Sequence, residues 1–121
     1  MFATTPGTAD FIKSGKLRAL GVTTVSNAEV FSELPKIADF VPGYEASQWY
    51  GKSAPKGTPT EIIDRLNREI NTALTDPATR KRFTDIGGEP LPGTPAAFGK
   101  FIADETEKWG KVVKFAGLKP D

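Results

Sequence analysis

The chain has 121 residues, of which 38% are hydrophobic and 26% charged, and its formal net charge is +1. This length favours one domain with a buried core, and the near-neutral charge removes the usual argument for a nucleic-acid partner. The absence of cysteine and histidine excludes disulfides, thiolate and imidazole metal sites, and Ser–His or Cys–His nucleophile pairs. We therefore expect a protein that is not an enzyme, with no catalytic residue, no metal site, no cofactor and no nucleic-acid partner.

The first residues predict a strand end, a short helix and a strand. Met1 and Phe2 are apolar and precede a loop, and Pro6 favours a helix start that Gly15 closes as a left-handed cap. Residues 16–24 predict a strand, because their second half is nearly all apolar or small, as in strands that are buried on both faces.

Residues 25–41 predict a long connection over the surface, with one helical turn at 26–29 and another that begins at Pro35. The segment that follows carries the rings of Tyr44, Trp49 and Tyr50, which favour a pleated, half-buried strand. Everything after this segment reads as helices.

Three residues that each precede a proline predict the helix starts of the second half: Thr58, Asp76 and Thr94. Each can accept a hydrogen bond from an amide of the first turn, and the proline stands where its missing N–H costs nothing. Thr58 and Glu61 also match a capping box. The predicted helices end near Thr75, Ile86 and Ala116.

The last predicted helix carries a single apolar stripe, which we expect to pack against other parts of a core. The stripe consists of Phe98, Phe101, Ile102, Trp109, Val112 and Val113. Its acidic residues, Asp104, Glu105 and Glu107, are expected on a solvated face.

Three consecutive segments resemble the signatures of one family. They are residues 15–24 (GKLRALGVTT), 42–51 (PGYEASQWYG) and 54–59 (APKGTP). Together they resemble the extracytoplasmic solute receptors of the tripartite tricarboxylate transporters, the Bug or TctC family, and the likeness extends in order over essentially the whole chain.

The resemblance implies an α/β chain with a partial periplasmic-binding-protein-like (type II) fold, with short strands in the first half and three capped helices in the second. Residues 1–45 then correspond to a remnant of the second lobe of a receptor, and residues 46–121 to the C-terminal part that packs on the first lobe. The implied function is that of a solute-binding protein, or a truncated relative of one, that binds a small carboxylate or amino acid and serves membrane transporter subunits.

An interaction protein is the alternative: a truncated, non-binding module that self-associates. An open sheet edge at Met1 and Phe2, together with the apolar stripe, predicts a homo-oligomer. The family implies a periplasmic location. The amino terminus has no basic and apolar signal segment, so the expectation is a cytoplasmic protein if the chain is expressed as written.

The resemblance places a ligand-facing loop at Ala3, Thr4 and Thr5. Many family members carry Asp followed by Asn or Ser at these positions, so Ala3 lacks the carboxylate while the two threonines keep hydroxyl groups. A loop that only caps the helix at Pro6 is an equal alternative. The rings of Trp49 and Tyr50 are expected to pack in the core or between lobes rather than to contact a ligand.

Overall fold

The regular structure of the described part of the chain, residues 1–25 and 31–119, includes four α-helices and a short 3-10 helix in a computed structural model. The α-helices are α1 (Thr5–Lys13), α2 (Thr60–Thr75), α3 (Pro77–Asp85) and α4 (Pro95–Phe115), and the 3-10 helix is Ile37–Asp39. The 3-10 helix confirms the turn predicted after Pro35. The turn predicted at 26–29 lies outside the described residues.

The starts of α3 and α4 confirm two of the three predicted caps. The Thr79 amide donates to Asp76 Oδ1 at 2.8 Å, and the Ala97 amide donates to Thr94 Oγ1 at 3.1 Å. Each bond satisfies one of the amides that the first turn of a helix leaves without an internal partner.

The cap predicted at Thr58 is wrong. Helix α2 begins at Thr60 and has no side-chain cap. The Thr58 hydroxyl donates instead to the Pro55 carbonyl oxygen at 2.8 Å, and the Thr58 amide donates to the same oxygen at 3.2 Å. The turn passes through Gly57, whose φ is +88°, so the Thr58 side chain closes this turn and not the helix.

The predicted strands are also wrong, since residues 1–25 and 31–119 contain only one isolated parallel bridge, between Val22 and Lys36. The Val22 amide donates to the Pro35 carbonyl at 3.0 Å, and the Ile37 amide donates to the Val22 carbonyl at 2.9 Å. A strand needs a neighbour along its edge. Pro35 has no amide to extend the ladder in one direction. In the other direction the chain enters the 3-10 helix, where the Asp39 amide donates to the Lys36 carbonyl, so the pairing stops after one bridge.

Packing in the described part is thin. Ala9 of α1, at 3% exposure, is its one buried hydrophobic residue. The two consecutive helices α2 and α3 contact each other. None of the helices described is long and apolar enough to cross a membrane.

An asparagine pair on α2 holds the segment that leads into α4. The Asn71 side chain donates to the Gly93 carbonyl at 2.9 Å and accepts from the Gly93 amide at 3.0 Å. Asn67, one turn earlier, donates to the same carbonyl at 2.9 Å. The start of α4 is therefore fixed on α2 through both backbone groups of one residue.

Residues 45–51, called the strap here, lie along α4. The Trp49 ring meets Phe98 and Phe101 edge-on, with centroids 5.8 and 5.1 Å apart. A Cβ placed on Gly51 would overlap the Phe98 ring, so the strap backbone touches that ring directly. Trp49 thus packs as expected, whereas Tyr50 is 79% exposed.

Candidate functional site

The loop that the resemblance marks as ligand-facing leads into α1. Ala3 and Thr4 are exposed. Thr4 is the residue before the helix, and its hydroxyl makes no capping hydrogen bond. The Thr4 carbonyl accepts from the Thr8 hydroxyl at 3.0 Å and from the Gly7 amide at 3.2 Å. The backbone of the loop is therefore anchored to α1, while the Thr4 side chain does not serve as its cap.

Thr5 is half-buried because the turn after α3 lies against it. A Cβ added at Gly87, whose φ is +72°, would overlap the Thr5 side-chain methyl. At the other end of α1, the Lys13 ammonium donates to the Asp85 carbonyl at 2.9 Å. Two contacts, one at each end of α1, thus hold the helix against the end of α3.

The dipole at the start of α1 favours negative charge. The first turn offers few free amides to an anion, because Pro6 has none and the Gly7 amide donates to the Thr4 carbonyl. The first turn carries no acidic residue, and Lys13 stands in the last turn. Of the predicted site residues, the structure places Ala3 and Thr4 on the surface and Thr5 against Gly87. The described residues contain no group of three or more His, Cys, Asp or Glu side chains that could hold a metal ion.

A second polar site, which the sequence reasoning missed, lies between the strap and α4. The Lys108 ammonium donates to Glu45 Oε2 of the strap and, at 3.3 Å, to Glu105 Oε1. The Ser47 hydroxyl donates to Glu45 Oε1 at 2.6 Å, and the Trp109 indole donates to Glu105 Oε2 at 2.9 Å. One ammonium is thus held between two carboxylates.

Glu105 corrects the prediction of a fully solvated acidic face. Its side chain is 12% exposed in the pairing with Lys108, and it accepts the Trp109 indole. Glu107 does lie on the solvated side, where it pairs with Lys111 and is 70% exposed. The missed signal is the spacing 98, 101, 105, 108, which puts two aromatic and two charged residues on one side of α4.

The pKa values of these groups follow from the contacts. The Lys108 hydrogen bond, with a second from Ser47, lowers the pKa of Glu45 below its ordinary 4.5. The Trp109 indole lowers the pKa of Glu105, with smaller contributions from Lys108 and Trp49. The hydrogen bond to Glu45 raises the pKa of Lys108. All three groups are therefore held in their charged forms at neutral pH.

The chain matches one protein family over almost its whole length. The family model described as "Tripartite tricarboxylate transporter family receptor" matches residues 1–118. The chain belongs to this family. It is 39% identical over 115 residues to protein BugT of Bordetella pertussis, covering 94% of this chain and 35% of BugT. The resemblance seen in the sequence is thus confirmed, and the family is one of substrate-binding receptors rather than of enzymes.

Solved relatives share the fold. "R. palustris Rpa4515 with adipate" superposes with a TM-score of 0.88 at 36% identity, over 97% of this chain and 40% of that one. "Structure of periplasmic binding protein BugD" gives a TM-score of 0.85 at 30% identity, over 94% of this chain and 39% of that one. The periplasmic-binding-protein part of the fold expectation is therefore confirmed. The chain spans about two fifths of the length of these relatives.

Proposed function

We propose that this chain contributes part of the ligand site of a periplasmic receptor for small carboxylates, with the loop Ala3–Thr5 and the start of α1 facing the ligand. The observation that carries the proposal is an anion-favouring helix start with a non-capping Thr4 hydroxyl in a chain of this receptor family. A dicarboxylate is the proposed ligand class, since adipate is named with one solved relative. Membrane transporter subunits are the proposed partners.

The boundary near residue 45 is part of the same proposal. Residues 1–45, which carry α1, are proposed as a remnant of the second lobe of a receptor, and residues 46–121 as the part that packs on the first lobe. The contacts of Thr5 with Gly87 and of Lys13 with Asp85 join the two parts across this boundary. Because the chain covers only about two fifths of its solved relatives, it supplies one wall of the site. We expect weak binding by the chain itself, with a dissociation constant above about 1 mM, where the whole binding free energy is only about 4 kcal/mol.

The test is a titration of the 121-residue chain with adipate, followed by amide NMR. We expect shifts confined to residues 3–8. The uncharged diamide of adipic acid, used as the matched compound, should leave these signals in place, because the helix start favours an anion.

Thr4→Val is the variant that tests the hydroxyl, and it should weaken the adipate shifts. Ser14→Ala is its control, since the Ser14 hydroxyl bonds to the Phe11 carbonyl at the far end of α1. Equal shifts with acid and diamide, or none at residues 3–8, would remove the ligand site from this loop.

We also propose that the chain alone self-associates. It exposes 9834 Å², whereas a compact monomer of 13.0 kDa exposes about 6,300 Å². The excess of about 3,500 Å² far exceeds the roughly 800 Å² that each partner of a standard interface buries. The end of α4 contributes apolar surface, with Phe115 96% exposed. A net charge of +1 gives little repulsion between copies, so a second copy is the occupant we propose.

Light scattering after size exclusion tests the self-association. We expect a mass of at least two chains at micromolar concentration, and a shift toward one chain in Phe115→Ser. The control is Lys100→Ser, on a solvated part of α4 where Lys100 is 76% exposed. A monomer at all concentrations would refute the homo-oligomer.

A further inference from the structure

The strap runs antiparallel to α4, and its contacts change from an ion pair at one end to aromatic packing at the other. Its carboxyl end, at Gly51, lies on the Phe98 ring, and its amino end, at Glu45, pairs with Lys108. Between these contacts α4 advances by about 15 Å, a distance that seven residues can span when their backbone is extended. Trp49 fills the aromatic part of this path against Phe98 and Phe101.

The amino end of the strap is also the point where the first part of the chain is attached. The Ala46 amide donates to the Thr23 carbonyl at 3.0 Å. The neighbouring residue, Glu45, is the one that binds Lys108. Two adjacent residues therefore face in two directions, one toward the segment that follows α1 and the other toward α4.

Two other residues of α4, Glu105 and Trp109, hold the Lys108 ammonium in position beside the strap. Glu105, one turn earlier on α4, accepts from the Lys108 ammonium, and the Trp109 ring lies beneath that ammonium at 5.5 Å. The Trp109 indole fixes the Glu105 carboxylate from the other side. The side chains of Lys108 and Glu45 are each only about 30% exposed, whereas Glu107, in its pair with Lys111 on the solvated side of α4, is 70% exposed. The Lys108–Glu45 pair is therefore the more sheltered of the two from solvent. Such shelter and a fixed geometry strengthen an ion pair relative to an exposed one.

We propose that Lys108 is a positioning residue that fastens the strap to α4 and thereby fixes the segment around Thr23 relative to α4. Glu105 and Trp109 orient its ammonium, and Glu45 receives it. The pairing of Lys111 with Glu107 is the internal contrast, because it joins two residues of α4 to each other and reaches no other segment.

Lys108→Met removes the charge and keeps most of the length of the unbranched side chain. We expect the Ala46 amide to exchange with solvent about tenfold faster in this variant, because a hydrogen-bonded charge pair no longer restrains local opening. The NMR titration midpoint of the Glu45 carboxyl should rise toward 4.5, the ordinary value. Lys108→Arg should restore both readouts toward those of the unaltered chain.

The matched control is Lys111→Met, which removes an equally charged residue of α4 and should leave both readouts unchanged. Glu45→Gln tests the same contact from the strap side and leaves the Lys108–Glu105 pair intact, so the Ala46 amide should again exchange faster. The proposal is overturned if Ala46 exchange does not respond to Lys108→Met and Glu45→Gln, or responds equally to Lys111→Met.

Discussion

The contact between Gly87 and Thr5 fixes the candidate ligand loop, and it can be tested by placing one methyl group at two similar backbone positions. Gly15 and Gly87 have almost the same φ, +73° and +72°. A Cβ at Gly15 would meet nothing within 4 Å, whereas one at Gly87 would overlap the Thr5 methyl. Alanine at the two sites therefore carries the same backbone strain and differs in the steric contact.

Gly15→Ala should lower the free energy of unfolding by about 1 kcal/mol, the cost of a left-handed residue with a Cβ. Gly87→Ala should cost about 2–4 kcal/mol, because forcing a methyl into an occupied space adds about 1–3 kcal/mol. Urea denaturation gives both values, with the slope of the transition as a check that the same unit unfolds.

Thr5→Ser completes the experiment because it removes the methyl that Gly87→Ala would strike. The double variant should recover most of the extra loss, which gives a coupling of at least about 1 kcal/mol between the two positions. Equal losses in Gly15→Ala and Gly87→Ala would refute the placement of Thr5 against the turn after α3. The start of α1 would then lack the support that the proposed ligand site needs.

Three further predictions concern the remaining contacts. Asn71→Ala removes two hydrogen bonds to the backbone of Gly93 and should lower the unfolding free energy by about 1–2 kcal/mol; a loss within the error of urea denaturation would contradict the paired geometry. Thr94→Ala removes a formed cap and should cost about 1 kcal/mol, whereas Thr58→Ala should cost clearly less, because that hydroxyl closes only a turn; equal shifts of the thermal midpoint would contradict this distinction. The pKa of Glu45 is lowered from 4.5, chiefly by its hydrogen bond to a lysine of α4, so its contribution to stability is present above pH 4.5 and is lost as the pH falls through the lower value of the folded state. Glu45→Gln should flatten the pH dependence of stability in that window, and an unchanged profile would show that the strap contact does not contribute.

Local signals in the sequence were sufficient for the helices of the second half. Asp76 and Thr94 cap as predicted because a cap depends only on the few residues that follow it. The cap predicted at Thr58 does not form, although Thr58 precedes a proline as Thr94 does. The preceding turn through Gly57 competes for its hydroxyl, and a pattern read forward from Thr58 does not contain that competitor.

Strands depend on partners, which explains why the strand predictions failed. Residues 16–24 have the composition of a buried strand, but composition does not supply a neighbour. In the described part of the chain, the bonds across Val22 end in a single bridge next to Pro35. The resemblance predicted the family and the periplasmic-binding-protein fold correctly, because both predictions depend on the order of segments along the whole chain. Neither depends on the pairing of any one strand. The role of Ala3–Thr5 stays a prediction.

Helix α4 shows that a stripe which changes from aromatic to charged residues predicts which segment packs against the helix. Apolar periodicity alone selects Phe98 and Phe101 and then discards Glu105 as solvated surface. The same spacing continues through Glu105 to Lys108, so one side of the helix is aromatic at its start and charged further along. A segment that lies on this side must offer an aromatic ring and then a charge in the reverse order, and residues 45–49 do so, with Glu45 first and Trp49 four residues later. A charged residue that continues the spacing of an apolar stripe therefore predicts a contact with another segment of the chain, and not the end of the stripe.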